Sequence, residues 1–422
     1  MRISSKEDLL HSTNVDLETD WVDSAVVSFA DDGFPTETSE AQLEVQDSVE
    51  PLLDPYKAGT ANPVKLLRDA HIQYLYKGLE GLGPWFVSLD ASRPWLVYWI
   101  LHSLDLLGEP ISKDVASRAI ATLAQCQHAS GGFAGGHGQL PHVAPTYAAI
   151  HALAIIGTSE AFETIKRQEL LEWLLRMKQP DGSFTMHDGG EVDVRGTYCA
   201  LSSAKLLNIL TPELVANCGD FIARCQTHEG GIGGYPGLEA HGGYTFCAVA
   251  AMEMIGKTEM LDLSKLTAWL CSRQMEVEGG FQGRSNKLVD GCYSFWQGAL
   301  VPILECALAR ASDEEEDVDL FNRDPLQEYI LLCCQEPKGG LRDKPDKGPD
   351  YYHTCYVLSG LSISQHKYTW NAEQEDIINC PDQTTIVGLK ENQLPVTHPI
   401  HNILVPHVAR IRAHFLDHIE DV

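Results

Sequence analysis

Residues 170–210 read LLEWLLRMKQPDGSFTMHDGGEVDVRGTYCALSSAKLLNIL, and this stretch decides the fold. Leucines recur at helical spacing over 170–179, a glycine-containing loop follows, and a second run of small and apolar residues occupies 198–210. Apolar residues at i, i+3 and i+4 are typical of a helix rather than a strand. A glycine just after the last helical residue suits a helix C-terminus. The stretch therefore predicts a helical hairpin.

The hairpin pattern recurs at intervals of about 50 residues, a period typical of repeat arrays. Each repeat carries a glutamine, a few polar residues, a Gly-Gly or Gly-Ser pair and an apolar residue. The five segments are Gln127–Phe133, Gln179–Phe184, Gln226–Ile232, Gln274–Phe281 and Gln335–Leu341. Stacked hairpins bury one another's faces and form an open solenoid or a closed ring. In a closed ring, the second helix of each hairpin would line a central cavity and begin at its mouth.

Aromatic residues mark the beginning of the second helix in several repeats. Tyr147, Tyr198, Tyr244 and Tyr293 all lie near this point, and His353 takes the matching place in the last repeat. A tyrosine offers both an apolar ring and a hydroxyl group. The pattern predicts an aromatic funnel, although ordinary helix packing would also use tyrosine.

Composition narrows the class of protein. The chain has 422 residues and a formal net charge of -28, which argues against nucleic acid or an anionic membrane as a general partner. It contains 12 cysteines without a C-x-x-C pair and no membrane-spanning run, and from its two ends we expect neither a secretory leader nor a C-terminal lipidation motif. We therefore expect a reduced, cytoplasmic protein. Residues 1–60 predict an acidic, disordered tail, 61–422 predict the repeat domain, and the acidic run 313–319 predicts a solvated loop.

Three residues suggest a metal site. Asp290 and Cys292 begin the second helix of one repeat, and His353 lies at the equivalent place in the next. If the repeats are neighbours, the three side chains converge on one point. Carboxylate, thiolate and imidazole form a ligand set that suits zinc, and three protein ligands leave a fourth position open. From spacing alone, a buried cysteine and a packed histidine would be the commoner outcome.

Two further groups of residues could contribute to the same site. His241, Arg284, Lys287 and Tyr293 could grip a diphosphate through charge-assisted hydrogen bonds, or could be solvated loop residues. Trp95 and Trp99 lie four apart on one helical face, and Trp296 follows Tyr293 by three. Such a surface could hold a long hydrocarbon chain, or could simply be core.

Four stretches together resemble the protein farnesyltransferase beta subunits. They are SRPWLVYWILHSL, GLEAHGGYTFC, GGFQGRSNKLVDGCYSFWQG and GGLRDKPDKGPDYYHTCYVLSGLS, and the resemblance covers roughly residues 70 to 405. It implies an all-α fold, an α-α barrel with a central funnel-shaped cavity. It also implies transfer of a farnesyl group from farnesyl diphosphate to the cysteine of a C-terminal C-a-a-X sequence in acceptors such as small GTPases, by a heterodimer with a separate alpha subunit.

The resemblance assigns roles to individual residues. Zn²⁺ would bind Asp290, Cys292 and His353, and Tyr293 would join them in catalysis. The diphosphate would bind His241, Gly242, Gly243, Tyr244, Arg284, Lys287 and Tyr293. The isoprenoid channel would be lined by Arg195, Tyr198, Tyr244, Cys247 and Trp296. The acceptor peptide would contact Trp95, Trp99, His142, Ala144, Pro145 and Tyr352. Asp343 would help to hold Mg²⁺ beside the diphosphate.

Other functions compete with this interpretation. Related type I geranylgeranyl enzymes tend to have a smaller residue where Trp95 stands and a lysine where Asp343 stands, so both residues favour the farnesyl pattern. Squalene-type cyclases need an Asp-x-Asp-Asp acid, and the nearest strings here, EVDVR and EEDVD, do not fit. Complement-type thioester barrels need Gly-Cys-Gly-Glu-Gln, which is absent. A non-catalytic helical scaffold that binds a peptide is a further alternative.

Overall fold

The computed structural model describes residues 34–311 and 319–417, and within them six helical hairpins form a ring. The outer helices are Arg68–Glu80, Lys113–Cys126, Arg167–Met177, Cys218–Arg224, Leu263–Cys271 and Arg323–Cys333. The inner helices are Arg93–Leu106, Val143–Ile156, Val194–Leu206, Gly242–Met254, Leu300–Ala311 with the preceding turn Tyr293–Trp296, and Tyr351–Gln365. Each inner helix contacts the next, and the last contacts the first. The predicted α-α barrel is therefore confirmed.

Inner and outer helices differ in how much of their surface is buried. In the inner helix Val143–Ile156 every residue except Ala144 and Ile156 is buried. The outer helix Lys113–Cys126 buries one stripe, Val115, Ala119, Ile120, Leu123 and Cys126. A helix that is apolar all round belongs in an interior, and one with an apolar stripe belongs at the surface. This difference sorts the two helices of each hairpin into their layers.

The glycines of the repeated motif are required where neighbouring repeats meet. Gly230 has a φ of +103°, and a Cβ there would lie 2.1 Å from the carbonyl oxygen of Lys265 in the next outer helix. A Cβ on Gly231 would lie 2.5 Å from the Trp269 ring. Glycine alone tolerates both the positive φ and the close approach. The motif thus allows one hairpin to touch the next.

In three repeats the glutamine of the motif, Gln226, Gln274 or Gln335, ties the repeat to the following one. The Gln274 side chain donates to the Asn322 carbonyl oxygen and accepts from the Asn322 N–H, both at 2.8 Å, just before the next outer helix begins. Gln335 does the same across the closure of the ring, donating to Lys65 and accepting from Leu67. In the second repeat the residue in this position is Lys178, which bridges Phe184, rather than the predicted Gln179.

Residues after the last hairpin close the base of the barrel. They form an antiparallel β-hairpin, His366–Asn371 with Asp376–Thr384, and a final helix, Val405–Leu416. Between them, the carbonyl oxygens of residues 400, 401 and 402 accept hydrogen bonds from the hydroxyls of Tyr198, Tyr147 and Tyr98. The channel is therefore blocked on the side where the inner helices end.

The structure corrects the expected boundary of the N-terminal tail. Glu37–Lys57 is a helix that begins with a capping box between Thr36 and Ser39 and packs Val45, Val49 and Leu53 inward. It contacts the outer helix Arg323–Cys333. Residues 1–33 and most of the acidic run, 312–318, lie outside the described residues.

The remaining elements are short segments between the helices of the ring or after the β-hairpin. The first hairpin lacks the glycine motif, which is why the sequence did not reveal it, and its helices are joined by the 3₁₀ segment Pro84–Ser92. The others are the helices Ser159–Glu163 and Pro212–Val215 and the 3₁₀ turns Thr258–Met260 and Lys390–Asn392.

Candidate active site

The three predicted metal ligands meet at the mouth of the barrel. One ligand atom from each of Asp290, Cys292 and His353 lies within 4.8 Å of the others. His353 Nε2 is 3.3 Å from Asp290 Oδ1, and the backbone N–H of Cys292 donates to the same oxygen at 2.9 Å. Two neighbouring inner helices begin here, so the fold itself places the donors together.

The histidine is oriented by a fourth residue. Asp350 caps the helix Tyr351–Gln365 by accepting from the backbone N–H of His353 at 2.7 Å, and its other oxygen bonds His353 Nδ1 at 2.7 Å. His353 Nε2 is consequently aimed at Asp290 and, although buried, makes no hydrogen bond of normal geometry among the described residues. A carboxylate behind an imidazole is the usual arrangement around a metal-bound histidine. The buried Nε2 and the mixed donor set fit a divalent cation of borderline softness.

Protonation at this site depends on the charges present. Burial lowers the pKa of His353, but hydrogen bonds and charge from Asp290 and Asp350 outweigh it and raise the pKa to about 10. Burial also raises the pKa of the Cys292 thiol well above its usual range. Without a cation the site therefore holds a proton on the imidazole and a neutral thiol. A metal ion and these protons compete for the same atoms.

The predicted basic cluster lies beside the metal ligands. His241 Nε2 is 3.1 Å from the Tyr293 hydroxyl, while His241 Nδ1 accepts from Gly243 at the start of the helix Gly242–Met254. Arg284 is paired with Glu239 at 2.9 Å, which the sequence did not indicate. Lys287 is exposed and has no ion pair among the described residues. The cluster can accept a multiply charged anion from the mouth.

Asp343, expected to hold magnesium, has a different partner in the structure. Lys344 Nζ lies 2.6 Å from both carboxylate oxygens of Asp343, and both side chains are largely buried. Burial and the neighbouring Asp290 raise the pKa of Asp343, whereas Lys344 lowers it. The partner of the Asp343 carboxylate in the structure is thus the Lys344 ammonium.

An aromatic wall runs from the mouth into the barrel. The Trp95 ring lies 5.6 Å from both Trp99 and Tyr147, and Trp99 meets Tyr352 edge to face. Trp296 Nε1 donates to the Tyr352 hydroxyl at 2.9 Å. Because Trp95, Trp99, Trp296 and Tyr352 are only half-buried, the wall has an open face suited to hydrocarbon.

The four tyrosines lie within the first five residues of their helices, as predicted, but they do not share one register. The equivalent positions are fixed by threonines whose hydroxyls each accept from the backbone N–H 13 residues earlier, namely Thr146, Thr245 and Thr354. Tyr147 follows its threonine, whereas Tyr244 and His353 precede theirs. Tyr147 and Tyr198 lie deeper, with hydroxyls 3.2 Å apart and rings that are 2% exposed. Only Tyr244 and Tyr293 stand at the mouth with His353.

The remaining predicted residues are spread around the same cavity. Arg195 pairs with Asp193 at 2.7 Å and lies 5.3 Å from the Tyr244 ring centroid. Cys247 is buried and lies three residues after Tyr244 in the same helix, Gly242–Met254. His142 caps Val143–Ile156 by accepting from Ala144, so Ala144 and the buried Pro145 form its first turn.

Sequence reasoning missed several residues that shape the site. Asp350, Glu239 and Lys344 each fix a predicted side chain, and the Tyr356 ring stacks on Trp296 at 4.4 Å. Of these residues, only Asp350 could have been predicted from the neighbouring sequence, because an aspartate before a helix is a typical N-cap.

Comparison with known proteins decides the family. The sequence profile of the prenyltransferase alpha-alpha toroid domain matches residues 66–403. A protein farnesyltransferase subunit beta from Arabidopsis thaliana is 43% identical, with 81% of each chain covered. One from Pisum sativum is 44% identical and covers 82% of this chain and 96% of its own. The chain belongs to the protein farnesyltransferase beta-subunit family.

More distant relatives of this farnesyltransferase beta-subunit family member share its fold. The geranylgeranyl transferase type-1 subunit beta of Arabidopsis thaliana is 30% identical, covering 71% of this chain and 85% of its own. The solved Candida albicans protein geranylgeranyltransferase-I, complexed with GGPP, superposes with a TM-score of 0.66 at 21% identity, over 83% of this chain and 99% of that one. Among the described residues of this family member, none of the helices has the length and apolar character needed to cross a bilayer.

Proposed function

We propose that this chain is the beta subunit of a heterodimeric protein farnesyltransferase that joins the farnesyl group of farnesyl diphosphate to the cysteine of a C-terminal C-a-a-X sequence. The observation that carries the proposal is the convergence of Asp290, Cys292 and His353 beside a basic cluster and an aromatic wall. A thiol-activating metal, an anion site and a hydrocarbon site are the three things this reaction needs.

Zinc is the metal that this donor set fits best. One carboxylate, one thiolate and one imidazole would hold it and leave a fourth position open. When bound, zinc would keep the acceptor cysteine as a thiolate at neutral pH. Asp350 would keep His353 Nε2 turned toward the ion, and Tyr352, whose hydroxyl accepts from Trp296, would border the acceptor.

The basic cluster would bind and stabilise the diphosphate. His241, Arg284 and Lys287 would donate charge-assisted hydrogen bonds to its oxygens. Burial raises the pKa of Tyr293, so its hydroxyl stays protonated and can donate a hydrogen bond as negative charge develops on the leaving group. Magnesium at Asp343 would assist, provided that Lys344 releases the carboxylate.

The prenyl donor, the acceptor protein and the partner subunit can be proposed on the same grounds. The half-buried rings of Trp95, Trp99 and Trp296 would hold the farnesyl chain and the apolar part of the acceptor. A separate alpha subunit would complete the enzyme, and C-a-a-X proteins such as small GTPases would be acceptors. All 12 cysteines are free thiols, which fits a reducing compartment such as the cytoplasm.

Two alternatives are separated by direct measurement. A type I geranylgeranyl enzyme would use the longer donor, but Trp95 narrows the channel and the farnesyl relatives are the more similar ones. A non-catalytic scaffold would bind a peptide without metal. One tightly bound zinc per chain would favour the enzyme over the scaffold.

The decisive test is co-expression with an alpha subunit, followed by transfer of labelled prenyl groups to C-a-a-X peptides. Cys292→Ala should lose both the zinc and thioether formation, while farnesyl diphosphate still binds. Cys380→Ala, on the β-hairpin far from the mouth, is the matched control and should keep all three. Retained turnover in Cys292→Ala would refute the metal role.

A further inference from the structure

The second repeat departs from the others at the position that ties repeats together. In four glycine motifs a glutamine bridges the apolar residue, and in the second motif Lys178 does so. Gln226 shows the usual pattern: its amide donates to the Gly230 carbonyl oxygen and to that of Asp262, just before the next outer helix. Lys178 cannot accept a hydrogen bond, so its contact with the next repeat must differ.

Lys178 makes that contact with a cysteine. Its Nζ donates to the Gly182 carbonyl oxygen at 2.9 Å and lies 2.9 Å from Cys218 Sγ. The first of these bonds matches those that Gln127, Gln226 and Gln274 make to their motif glycines. Cys218 is the first residue of the next outer helix and is fully buried. A separation of 2.9 Å is typical of nitrogen and oxygen. Because sulfur is larger than oxygen, the nitrogen and sulfur here are in unusually close contact.

The surroundings hold the two groups in place. Lys178 Nζ lies 4.7 Å from the centroid of the Phe184 ring, and Cys218 Sγ contacts the Leu214 carbonyl oxygen at 3.3 Å. Burial raises the pKa of the Cys218 thiol, and Lys178 opposes that rise. Lys178 itself is only half-buried, so a small oxidant can approach along its side chain.

We propose that Lys178 and Cys218 form an oxidative modification site, at which a peroxide converts the Cys218 thiol to a sulfenic acid and the Lys178 amine then captures the sulfur. In the first step sulfur attacks one peroxide oxygen, the O–O bond breaks, and one water leaves as sulfur is oxidised. In the second, the deprotonated amine attacks sulfur, the S–O bond breaks, and hydroxide leaves with a proton from nitrogen as a second water.

The product is a sulfenamide, a nitrogen–sulfur bond between neighbouring outer helices. Thiol, amine and hydrogen peroxide are consumed and two waters are released, so the crosslinked protein has lost two hydrogens. An added thiol reductant restores the free pair by attack on sulfur. The site lies on the outer wall, outside the residues assigned to prenyl transfer, and therefore stands independently of the proposed function.

The test treats the full-length heterodimer with hydrogen peroxide and maps its peptides by mass spectrometry. Wild type should yield one linked peptide pair containing Lys178 and Cys218, lighter by two hydrogens and released by dithiothreitol. Lys178→Gln restores the side chain found in the other repeats, so it should fold. It should give no linked pair and should instead leave a sulfenic acid on Cys218 that dimedone traps.

Matched variants make the result decisive. Cys225→Ser changes a buried cysteine at the end of the same helix and should leave the crosslink intact. Oxidised wild type should also melt at a higher temperature than oxidised Lys178→Gln. Oxidation of wild-type Cys218 only to sulfinic or sulfonic acid, no change at Cys218, or a linked pair that had gained oxygen would each overturn the proposal.

Discussion

Among single residues, Asp350 has the widest influence on the site. One of its oxygens caps an inner helix and the other fixes the Nδ1 side of His353. Helix geometry and ligand orientation are therefore set by the same carboxylate. A change in its charge should therefore alter metal affinity more than it alters folding stability.

Asp350→Asn tests this role. Asparagine is still a good N-cap, so the helix should form. Loss of the charge behind His353 should weaken zinc binding by about 10–100-fold. Competition with a chelator measures the affinity, and Asp262→Asn, the cap of an outer helix, serves as the control. Equal zinc affinity in both variants would show that Asp350 only caps.

We propose that Trp95 limits how much isoprenoid the channel accepts. Its indole packs against Trp99 and Tyr147, so Trp95→Thr should open space for about one isoprene unit. The variant should shift donor use from farnesyl toward geranylgeranyl diphosphate in a competition assay. Trp370→Thr, on the β-hairpin, should not. Unchanged donor preference in the Trp95 variant would count against a size limit at this position.

The sequence predicted the site where spacing within the repeats carried the information. Asp290, Cys292 and His353 could be placed together because two adjacent repeats begin their inner helices there. The partners of Arg284 and Asp343 could not be predicted, because ion pairs depend on loop geometry that repeats do not specify. The tyrosines lie near the helix starts as predicted, but their depth in the barrel could not be predicted, because spacing near a helix start does not fix which face a ring occupies.

At the scale of helices and loops, the glycine motif determines how closely hairpins stack. The leucine periodicity of 170–179 predicted the helices correctly, since burial on one side dictates it. The helix Glu37–Lys57 was missed because Val45, Val49 and Leu53, its buried stripe, lie in a strongly acidic stretch. Composition outweighed periodicity in that prediction.

Gly230→Ala tests the close approach between repeats. The new Cβ would lie 2.1 Å from the Lys265 carbonyl oxygen, whereas a Cβ on Gly237 meets nothing within 4 Å. Both glycines have positive φ, so both variants carry backbone strain. The difference in unfolding free energy between them isolates the clash, and we expect Gly230→Ala to be less stable by about 1–3 kcal/mol. Equal stability in urea denaturation would mean that the repeats can separate freely.

Across the whole molecule, Gln335 contributes to the closure of the ring, together with His71 and Tyr74 of the first outer helix. Gln335 binds Lys65 and Leu67, residues more than 260 positions earlier in the chain. The first and last repeats are therefore joined by the same kind of contact that joins successive ones. A closed ring of this type has no exposed terminal repeat.

Gln335→Ala should loosen this closure. It leaves the partly buried N–H of Leu67 without its acceptor, which should lower the unfolding free energy by about 1–3 kcal/mol. Gln127→Ala is the matched control, because the amide of Gln127 bonds Gly131 within its own repeat. Hydrogen exchange should show faster opening of Arg68–Glu80 only in the first variant. Equal protection of that helix in both would place the closure elsewhere.

The stopper formed by residues 400–402 has a consequence for the chamber it seals. Three tyrosines from separate inner helices donate to its main-chain oxygens, and the buried side chains of His401 and Asn402 add hydrogen bonds to Ser202 and His102. The depth of the barrel interior is therefore set by the point at which residues 400–402 cross the barrel axis. A relative in which this segment crossed at a different height would have a deeper or shallower interior, although its inner helices kept the same positions.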